Sequence, residues 1–375
     1  MASPNLLKPI QKREIELDFV RGLAILMVLD FHALRPILFY PFLLLGFKHF
    51  GWSGVDIFFV LSGFLVGGLL IKEWKVRGKI DSKRFLIRRG FKIWPQYYVF
   101  LFATLLTGHR ALRELWGNLL NIQNYVGGIA HTWSLAVEEH AYLLLVLCLT
   151  IAARCRARVR TLFLSLLAAV LLVVAMQLYL SWKRYDTFTW THTRVDGIFC
   201  GVLLAILYHY RPELFRRLQT MRWLWVTCIV ATLLYLRFAN MSWILAAPLS
   251  WDLANLMGVA LLMLLYRHRP HVRRSAIYRF IAWIGFYSYG IYLWHVSVTA
   301  PLEHLASRLP SGIGHPLLWI GPPCCGIALG ILTTKLVELP SLHLRDRLFP
   351  RRVDSAVGIP AEIEAETIAR QLSSK

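Results

Sequence analysis

The first apolar segment of the chain carries side chains that could transfer a proton. Residues 15–34 contain Asp18, Arg21, Asp30 and His32, and ionisable side chains inside a membrane helix are functional candidates. At 100° per residue, Arg21 and His32 share one face of a helix, about 16 Å apart along its axis. Asp18 falls on the same stripe, whereas Asp30 points nearly the opposite way. Histidine is the natural general base near neutral pH. A surface salt bridge for Asp18 and Arg21, and an interfacial position for His32, are the alternative interpretations.

A second candidate is the arginine cluster formed by Arg84, Arg88 and Arg89, which lies between two apolar segments. Arg84 and Arg88 are one helical turn apart, and guanidinium groups at that spacing suit a ligand with several phosphates. Cytoplasmic loops of membrane proteins collect arginine in any case. Charge alone therefore leaves both a ligand site and a topology signal open.

Further candidates stand at the starts and ends of other apolar segments. Glu138 and Glu139 follow a predicted helix start, where the helix dipole alone would favour acidic residues. Gly63 and Gly67, four residues apart, permit close helix packing. The remaining candidates are Asp56, Asp196 and His295.

No pattern in the sequence predicts a metal site or a disulfide framework. His268-x2-His271 lies in a basic stretch without acidic or cysteine partners, which metal ligation would require. The six cysteines show no pairing pattern, and most lie in apolar stretches.

Long apolar segments must position these side chains. Segments of about 20 apolar residues are long enough to cross the hydrocarbon core of a bilayer. Ten are found, near 15–34, 52–71, 91–107, 134–152, 161–181, 195–210, 223–239, 250–266, 278–300 and 316–335. The predicted fold class is therefore all-α, a polytopic membrane bundle of about ten transmembrane helices. The predicted divisions are an N-terminal segment 1–14, a transmembrane domain 15–345 and a C-terminal tail 346–375.

The distribution of basic residues predicts the orientation. With the N-terminus inside, 32 lysines and arginines fall on the inner side and nine on the outer side. This asymmetry follows the positive-inside rule and predicts that both termini are cytoplasmic.

Composition agrees with a membrane protein and argues against other classes. Of 375 residues, 57% are hydrophobic and 17% are charged, and the formal net charge is +21. Because the basic residues lie in short runs between apolar segments, they favour contact with the lipid bilayer over binding of nucleic acid.

Seven short motifs, in order, make the chain resemble the acyltransferase-3 family of membrane-bound bacterial O-acyltransferases over about residues 13–345. The motifs are Arg21-x10-His32, the Gly-Val-Asp-x-Phe-Phe-x-Leu-Ser-Gly-Phe run at 54–64, Arg84-x3-Arg88-Arg89 with Trp94-Pro95, Trp133-Ser134-Leu135-x2-Glu138, Arg194-x-Asp196, Ser288-Tyr289-x2-Tyr292-x2-His295 and Glu338-x-Pro340. The chain resembles a standalone form without an appended esterase-like domain.

The resemblance implies transfer of an acyl group, commonly acetyl, from cytoplasmic acyl-coenzyme A to a hydroxyl of a carbohydrate or glycosylated acceptor, such as a surface polysaccharide. His32 then resembles the catalytic base and Arg21 its paired motif residue, with Glu138 in the same catalytic set. Arg84, Arg88 and Arg89 resemble the basic motif that would hold the coenzyme's phosphates. Acyl-coenzyme A would be a co-substrate, with no permanently bound cofactor and no metal. The implied location is the inner (plasma) membrane.

Two other classes compete with this interpretation. A secondary transporter would also place charges within helices, although repeat halves are not visible in the sequence. A membrane glycosyltransferase would need an acidic metal-diphosphate site, and no Asp-x-Asp occurs. The acceptor, the acyl chain length, the oligomeric state and the exact roles of Glu138, Asp196 and His295 stay open at this stage.

Overall fold

The computed structural model describes residues 14–33, 50–108, 111–185, 187–238, 246–266 and 275–350. Within these ranges all regular elements are helical, which confirms the all-α fold class. Most of the predicted N-terminal segment 1–14, most of the tail 346–375 and the His268-x2-His271 pair lie outside the described residues.

Each of the ten predicted segments overlaps a helix. The helices are α1 Ile15–His32, α2 Gly51–Arg77, α3 Ser82–Leu106, α4 Ala130–Arg154, α5 Val159–Trp182, α6 Asp196–Tyr210, α7 Pro212–Thr220, α8 Arg222–Phe238, α9 Ala246–Leu265, α10 Ala276–Phe286, α11 Ser288–Trp294, α12 Thr299–Ser307 and α13 Ser311–Leu348. Short helical turns connect α3 to α4 and precede α6.

Five of these helices are long and apolar enough to cross a membrane, namely α2, α4, α5, α9 and α13. A sixth span results if α6 and α7, which are bent by 114° relative to each other, are taken together. The other helices are too short or carry too many charges, as α1 does with Glu16, Asp18, Arg21 and Asp30. The described chain is therefore a multi-pass membrane bundle, and ten spans and the orientation of the termini stay predictions.

The predicted span 278–300 is not one continuous helix. The chain leaves helical geometry at Tyr287, where φ is −95° and ψ is 7°, so α10 and α11 are separate. Close packing accompanies the break: a Cβ added to Gly285 would lie 1.8 Å from the Asp18 carbonyl oxygen, so α10 touches the backbone of α1. The interruption lets α10 pack against α1 while α11 packs against α13.

Helix α2 lies at the centre of the bundle and α5 at its edge. In the most apolar stretch of each helix, the buried share is 72% in α2 and only 17% in α5. Most of the side chains of α5 therefore face the lipid. The predicted close packing of Gly63 and Gly67 is confirmed, since a Cβ on Gly63 would lie 1.9 Å from the Ile198 carbonyl oxygen of α6. These glycines bound a π-helical turn within α2.

A tight connection brings the arginine cluster to one end of the bundle. Helix α2 ends at Gly78, which adopts the left-handed conformation with φ of 67°. Asp81 then caps α3 by accepting a hydrogen bond from the backbone N–H of Arg84 at 3.2 Å. The last turns of α13 pack beside this end of α3, where the Ser341 hydroxyl donates to the Phe91 carbonyl at 2.8 Å.

Candidate active site

A polar cavity of about 120 Å³ is lined by α1, α2, α3, α4, α10 and α11. Its polar wall contains three cationic side chains and one carboxylate, together with hydroxyl groups. These residues are Arg21, Ser62, Arg89, Lys92, Ser134, Glu138, Ser288, Tyr289 and Tyr292. The structure therefore brings Arg21, Glu138 and Arg89, three of the predicted site residues, to one cavity.

Glu138 is held by hydrogen bonds on both of its carboxylate oxygens. Ser62 donates to Oε1 at 2.9 Å, and Tyr142 donates to Oε2 at 2.8 Å. Arg89 lies 3.7 Å from Oε2 and donates a hydrogen bond to the Tyr142 hydroxyl, with its guanidinium 4.3 Å from the centre of that ring. Glu138 and Tyr142 thus fix the direction in which Arg89 faces the cavity.

The two other cations of the wall also have carboxylate partners. Arg21 forms an ion pair with Asp18 at 3.1 Å, and the pair links successive turns of α1. Lys92 forms an ion pair with Glu338, which is buried in the second π-helical turn, Thr334–Glu338. Because Asp18 and Glu338 lie behind the wall, the surface that lines the cavity carries more positive than negative charge. Such a wall suits an anion or the polarised carbonyl of an ester or thioester.

The three arginines of the predicted cluster divide into two groups. Arg84 donates to the Pro350 carbonyl, and Arg88 donates to the Phe349 carbonyl and to Oδ1 of Asp346, the last at 2.9 Å. Arg84 and Arg88 therefore contact the end of α13, whereas Arg89 lines the cavity. The reason is geometric: one residue further along α3 turns the side chain by 100°.

His32 lies at the other end of α1 and does not line the large cavity. It borders a smaller space of about 10 Å³ together with Leu29, Ala33, His295 and Thr299. Its Nδ1–H donates to the Val28 carbonyl at 3.0 Å. Since a carbonyl oxygen only accepts hydrogen bonds, the neutral ring must carry its lone pair on Nε2, the arrangement that a general base needs.

Helix α11 joins the two spaces. Tyr292 borders the large cavity and His295 borders the small one, three residues or about 4.5 Å further along the helix axis. The Tyr292 hydroxyl donates to the His131 carbonyl and lies 2.5 Å from Ser134 Oγ. The His131 ring is 5.4 Å from that of His295, centre to centre. A continuous row of polar side chains therefore connects the cavity with His32.

Sequence reasoning missed His131 altogether. It directly precedes the Thr132-Trp133-Ser134 motif, so its place near that motif was readable, but nothing in its spacing from His32 or His295 indicated that the three rings would meet. They meet because α11 is interrupted at both ends and is thereby free to pack between α1 and α13.

A second polar cluster lies deep in the bundle and away from the cavity wall. Arg194 and Asp56 form an ion pair at 2.5 Å, and both side chains are 1% exposed. The Arg194 guanidinium also lies 4.8 Å from the centre of the Trp251 ring. Asp196 accepts a hydrogen bond from Asn255 at 2.6 Å. The candidates Asp56 and Asp196 thus connect α2, α6 and α9 and do not touch the cavity.

The described ranges contain no group of three histidine, cysteine, aspartate or glutamate side chains arranged to hold a metal ion. The rings of His32, His295 and His131 form a series of edge-to-face aromatic contacts.

Comparison with known proteins gives one family. A family model described as an acyltransferase domain, that of acyltransferase-3, matches residues 14–335. The peptidoglycan O-acetyltransferase OatA of Listeria monocytogenes is 24% identical over 322 residues, covering 76% of this chain and 50% of the relative. The Bacillus subtilis protein YrhL, which is named provisionally as a peptidoglycan O-acetyltransferase, is 24% identical over 380 residues, covering 90% of this chain and 56% of the relative. The chain spans about half the length of the curated relatives it matches, and no solved structure matches it.

Proposed function

The chain belongs to the acyltransferase-3 family, and we propose that it is a membrane O-acyltransferase that transfers an acetyl group from cytoplasmic acetyl-coenzyme A to a hydroxyl of a polysaccharide. The observation that carries the proposal is the row of polar side chains that runs from the cationic cavity through Tyr292 and His295 to His32. A donor held at the cationic end and a base at the far end are what acyl transfer between two substrates requires.

The donor is proposed to enter at the end of the bundle that carries the arginine cluster. Its phosphates are anionic, and Arg84 and Arg88 lie in the first turns of α3, beside the end of α13. Phosphates that bind there would replace the contacts of these arginines with Asp346, Phe349 and Pro350. The pantetheine arm is long and largely uncharged, so it can extend into the bundle past Arg89.

His32 is proposed to be the general base. Its Nε2 takes the proton of the acceptor hydroxyl as the hydroxyl oxygen attacks the thioester carbonyl. The new C–O bond forms, the C–S bond breaks, and the departing thiolate recovers the proton from the imidazolium. A thioester is reactive enough for direct transfer, so the step needs only the base, the two substrates and a wall that tolerates charge.

The acceptor is proposed to be a cell-envelope polysaccharide that lies on the outer side of the plasma membrane. Two relatives carry peptidoglycan O-acetyltransferase in their names, which makes peptidoglycan the first acceptor to test. The positive-inside distribution supports a multi-pass protein of the inner membrane with both termini cytoplasmic, so that donor and acceptor approach from opposite sides.

The test uses the purified full chain in lipid nanodiscs with labelled acetyl-coenzyme A and a panel of peptidoglycan fragments and other envelope oligosaccharides. We expect free coenzyme A to appear together with an acceptor that has gained one acetyl ester, detected by mass spectrometry. His32→Ala serves as the inactive control. If coenzyme A release never exceeds that of this control, and the protein takes up solute into proteoliposomes, the acyltransferase interpretation is wrong and the protein is a transporter.

A further inference from the structure

His295 occupies the most enclosed position in the row of histidines. It follows the last residue of α11, and its side chain is 4% exposed. Helix α13 covers it closely, since a Cβ added to Gly326 would lie 3.0 Å from the His295 Cα. A polar ring that is buried so completely normally has partners on both nitrogens.

Only one of the two ring nitrogens of His295 has a partner among the described residues. Its Nδ1–H donates to the Tyr292 carbonyl at 2.7 Å, which places the lone pair of the neutral ring on Nε2. This Nε2 is buried, and no described residue reaches it with a hydrogen bond. An acceptor left unpaired in the interior is unfavourable for the fold, so a polar group without its partner at this position calls for a functional explanation.

The nearest ring is that of His32. The two ring centres are 4.9 Å apart and the planes are inclined by 71°. Two imidazoles joined by one N–H···N hydrogen bond of about 2.9 Å have ring centres about 5 Å apart. His32 uses its Nδ1 on a backbone carbonyl in the same way as His295. Both neutral rings therefore carry the lone pair on Nε2, so no hydrogen bond joins them until one ring takes up a proton.

We propose that His32 and His295 form a proton-sharing pair, in which His295 is a positioning residue that stabilises His32 once it has taken the proton of the acceptor hydroxyl. The inference rests on the proposed function. The O–H bond of the acceptor breaks and an N–H bond forms at Nε2 of His32. This N–H lies between two acceptors in a three-centre hydrogen bond, whose first branch returns to the acceptor oxygen and whose second branch is accepted by Nε2 of His295. When the C–S bond breaks, the thiolate takes this proton and both rings return to the neutral state.

Among the described residues, the surroundings of His295 offer no other group for this task. The titratable side chains that face it are His32 of α1, His131 in the first turn of α4 and Tyr292 of α11. Helix α13 contributes the backbone of Gly326. Serine-hydrolase triads use a carboxylate to stabilise the imidazolium. Here a neutral imidazole supplies the acceptor without adding a negative charge to the membrane interior.

The experiment compares His295→Leu, which removes the acceptor, with His295→Gln, whose amide oxygen can still accept a hydrogen bond. We expect kcat to fall about 30- to 1000-fold in His295→Leu and markedly less in His295→Gln, with the KM for acetyl-coenzyme A within about twofold of wild type. His140→Leu is the matched control, since His140 is a half-buried histidine that bonds Thr191, and it should retain wild-type kcat.

The double variant His32→Ala/His295→Leu separates a role through His32 from a structural role. If His295 acts only through His32, the double variant should be no slower than His32→Ala by more than about twofold, because residues that act as a unit are not additive. The proton-sharing pair would be contradicted if the losses in kcat of the two single variants multiply in the double variant. A normal kcat in His295→Leu would contradict it as well. A wild-type protein that releases no coenzyme A would overturn the proposed function instead, so the two failures are distinguishable.

Discussion

Arg89 and Glu138 lie 3.7 Å apart in the cavity wall, and Tyr142 contacts both of them. Both oxygens of Glu138 accept hydrogen bonds from hydroxyl groups, and Arg89 lies beside one of these oxygens. We therefore interpret Glu138 as the group that orients Arg89. The aromatic ring beneath the guanidinium fixes the same orientation from the other side.

Arg89→Lys should lower kcat/KM about tenfold or more, although it retains the charge. An ammonium group cannot stack flat on the Tyr142 ring and at the same time donate to its hydroxyl. Initial rates at varied donor concentration measure the effect. Arg84→Lys is the control, because the Arg84 guanidinium donates to the Pro350 backbone carbonyl, a hydrogen bond that an ammonium group can also donate. This variant should stay within about threefold of wild type. Equal losses in the two variants would contradict the separate role of Arg89.

Variants at Arg88 and Asp346 test whether the end of α13 competes with the donor for the arginine side chain. Arg88→Ala should raise the KM for acetyl-coenzyme A more than it lowers kcat, because a phosphate contact contributes to binding in both ground and transition states. Asp346→Asn should lower that KM, since it weakens the ion pair that donor phosphates would displace. Glu213→Gln, in an exposed pair with Arg216, is the control and should change nothing. A raised KM in Asp346→Asn would argue against competition.

His32→Ala should insert and fold normally and lose about 10² to 10⁴ in turnover, the usual loss for a general base. Wild-type activity should fall as the medium becomes more acidic, because the imidazolium has no lone pair with which to accept the hydroxyl proton. This acid limb should be absent from the residual activity of the variant. Turnover above about a tenth of wild type in a well-folded His32→Ala protein would defeat the assignment.

The ion pair between Asp56 and Arg194 should matter for stability rather than for donor binding. Asp56→Asn and Arg194→Ala each leave one buried partner without its counterpart, and we expect a loss of about 3–5 kcal/mol. Thermal unfolding in detergent, followed by tryptophan fluorescence, measures the loss. Arg216→Ala breaks an exposed pair and should be neutral within about 1 kcal/mol. Unchanged melting of both buried variants would contradict the interpretation.

Reporter fusions test the orientation that the basic residues predict. A reporter after Arg352 should be active on the cytoplasmic side, and one within residues 108–132 should be active on the outer side, because 32 of the lysines and arginines then face the cytoplasm. A fusion in the basic stretch between α2 and α3 provides a second cytoplasmic reference. An external reporter after Arg352 would contradict the prediction of an even number of spans.

The helices could be predicted from the sequence because apolar length is a local property. All ten segments overlap helices, and the glycines of α2 indicated where another helix would pack. The break at Tyr287 could not be predicted, nor could the contact of the nearby Gly285 with the backbone of α1. A hydropathy pattern contains no information about which distant helix approaches a given glycine.

The residues of the candidate site could be predicted from the sequence, but much of their arrangement in space could not. The stripe on α1 placed Arg21 and His32 at opposite ends of one helix, which agrees with the two spaces that they border. Spacing grouped Arg84 with Arg88, but it did not show that the end of α13 would lie against both. The rings of His32, His131 and His295 meet although they belong to three separate helices, so no local pattern could indicate their contacts.

The pair of Asp56 and Arg194 also has a consequence for how the protein is made. The two residues are 138 positions apart, so α2 leaves the ribosome and enters the bilayer long before α6 is synthesised. Until then the Asp56 carboxylate has no guanidinium beside it, and a lone charge in a membrane helix is unfavourable by about 2.5–3.5 kcal/mol on insertion scales. We therefore expect α2 to stay in contact with water, or to carry a protonated Asp56, until the segment with Arg194 enters the bilayer and the ion pair forms.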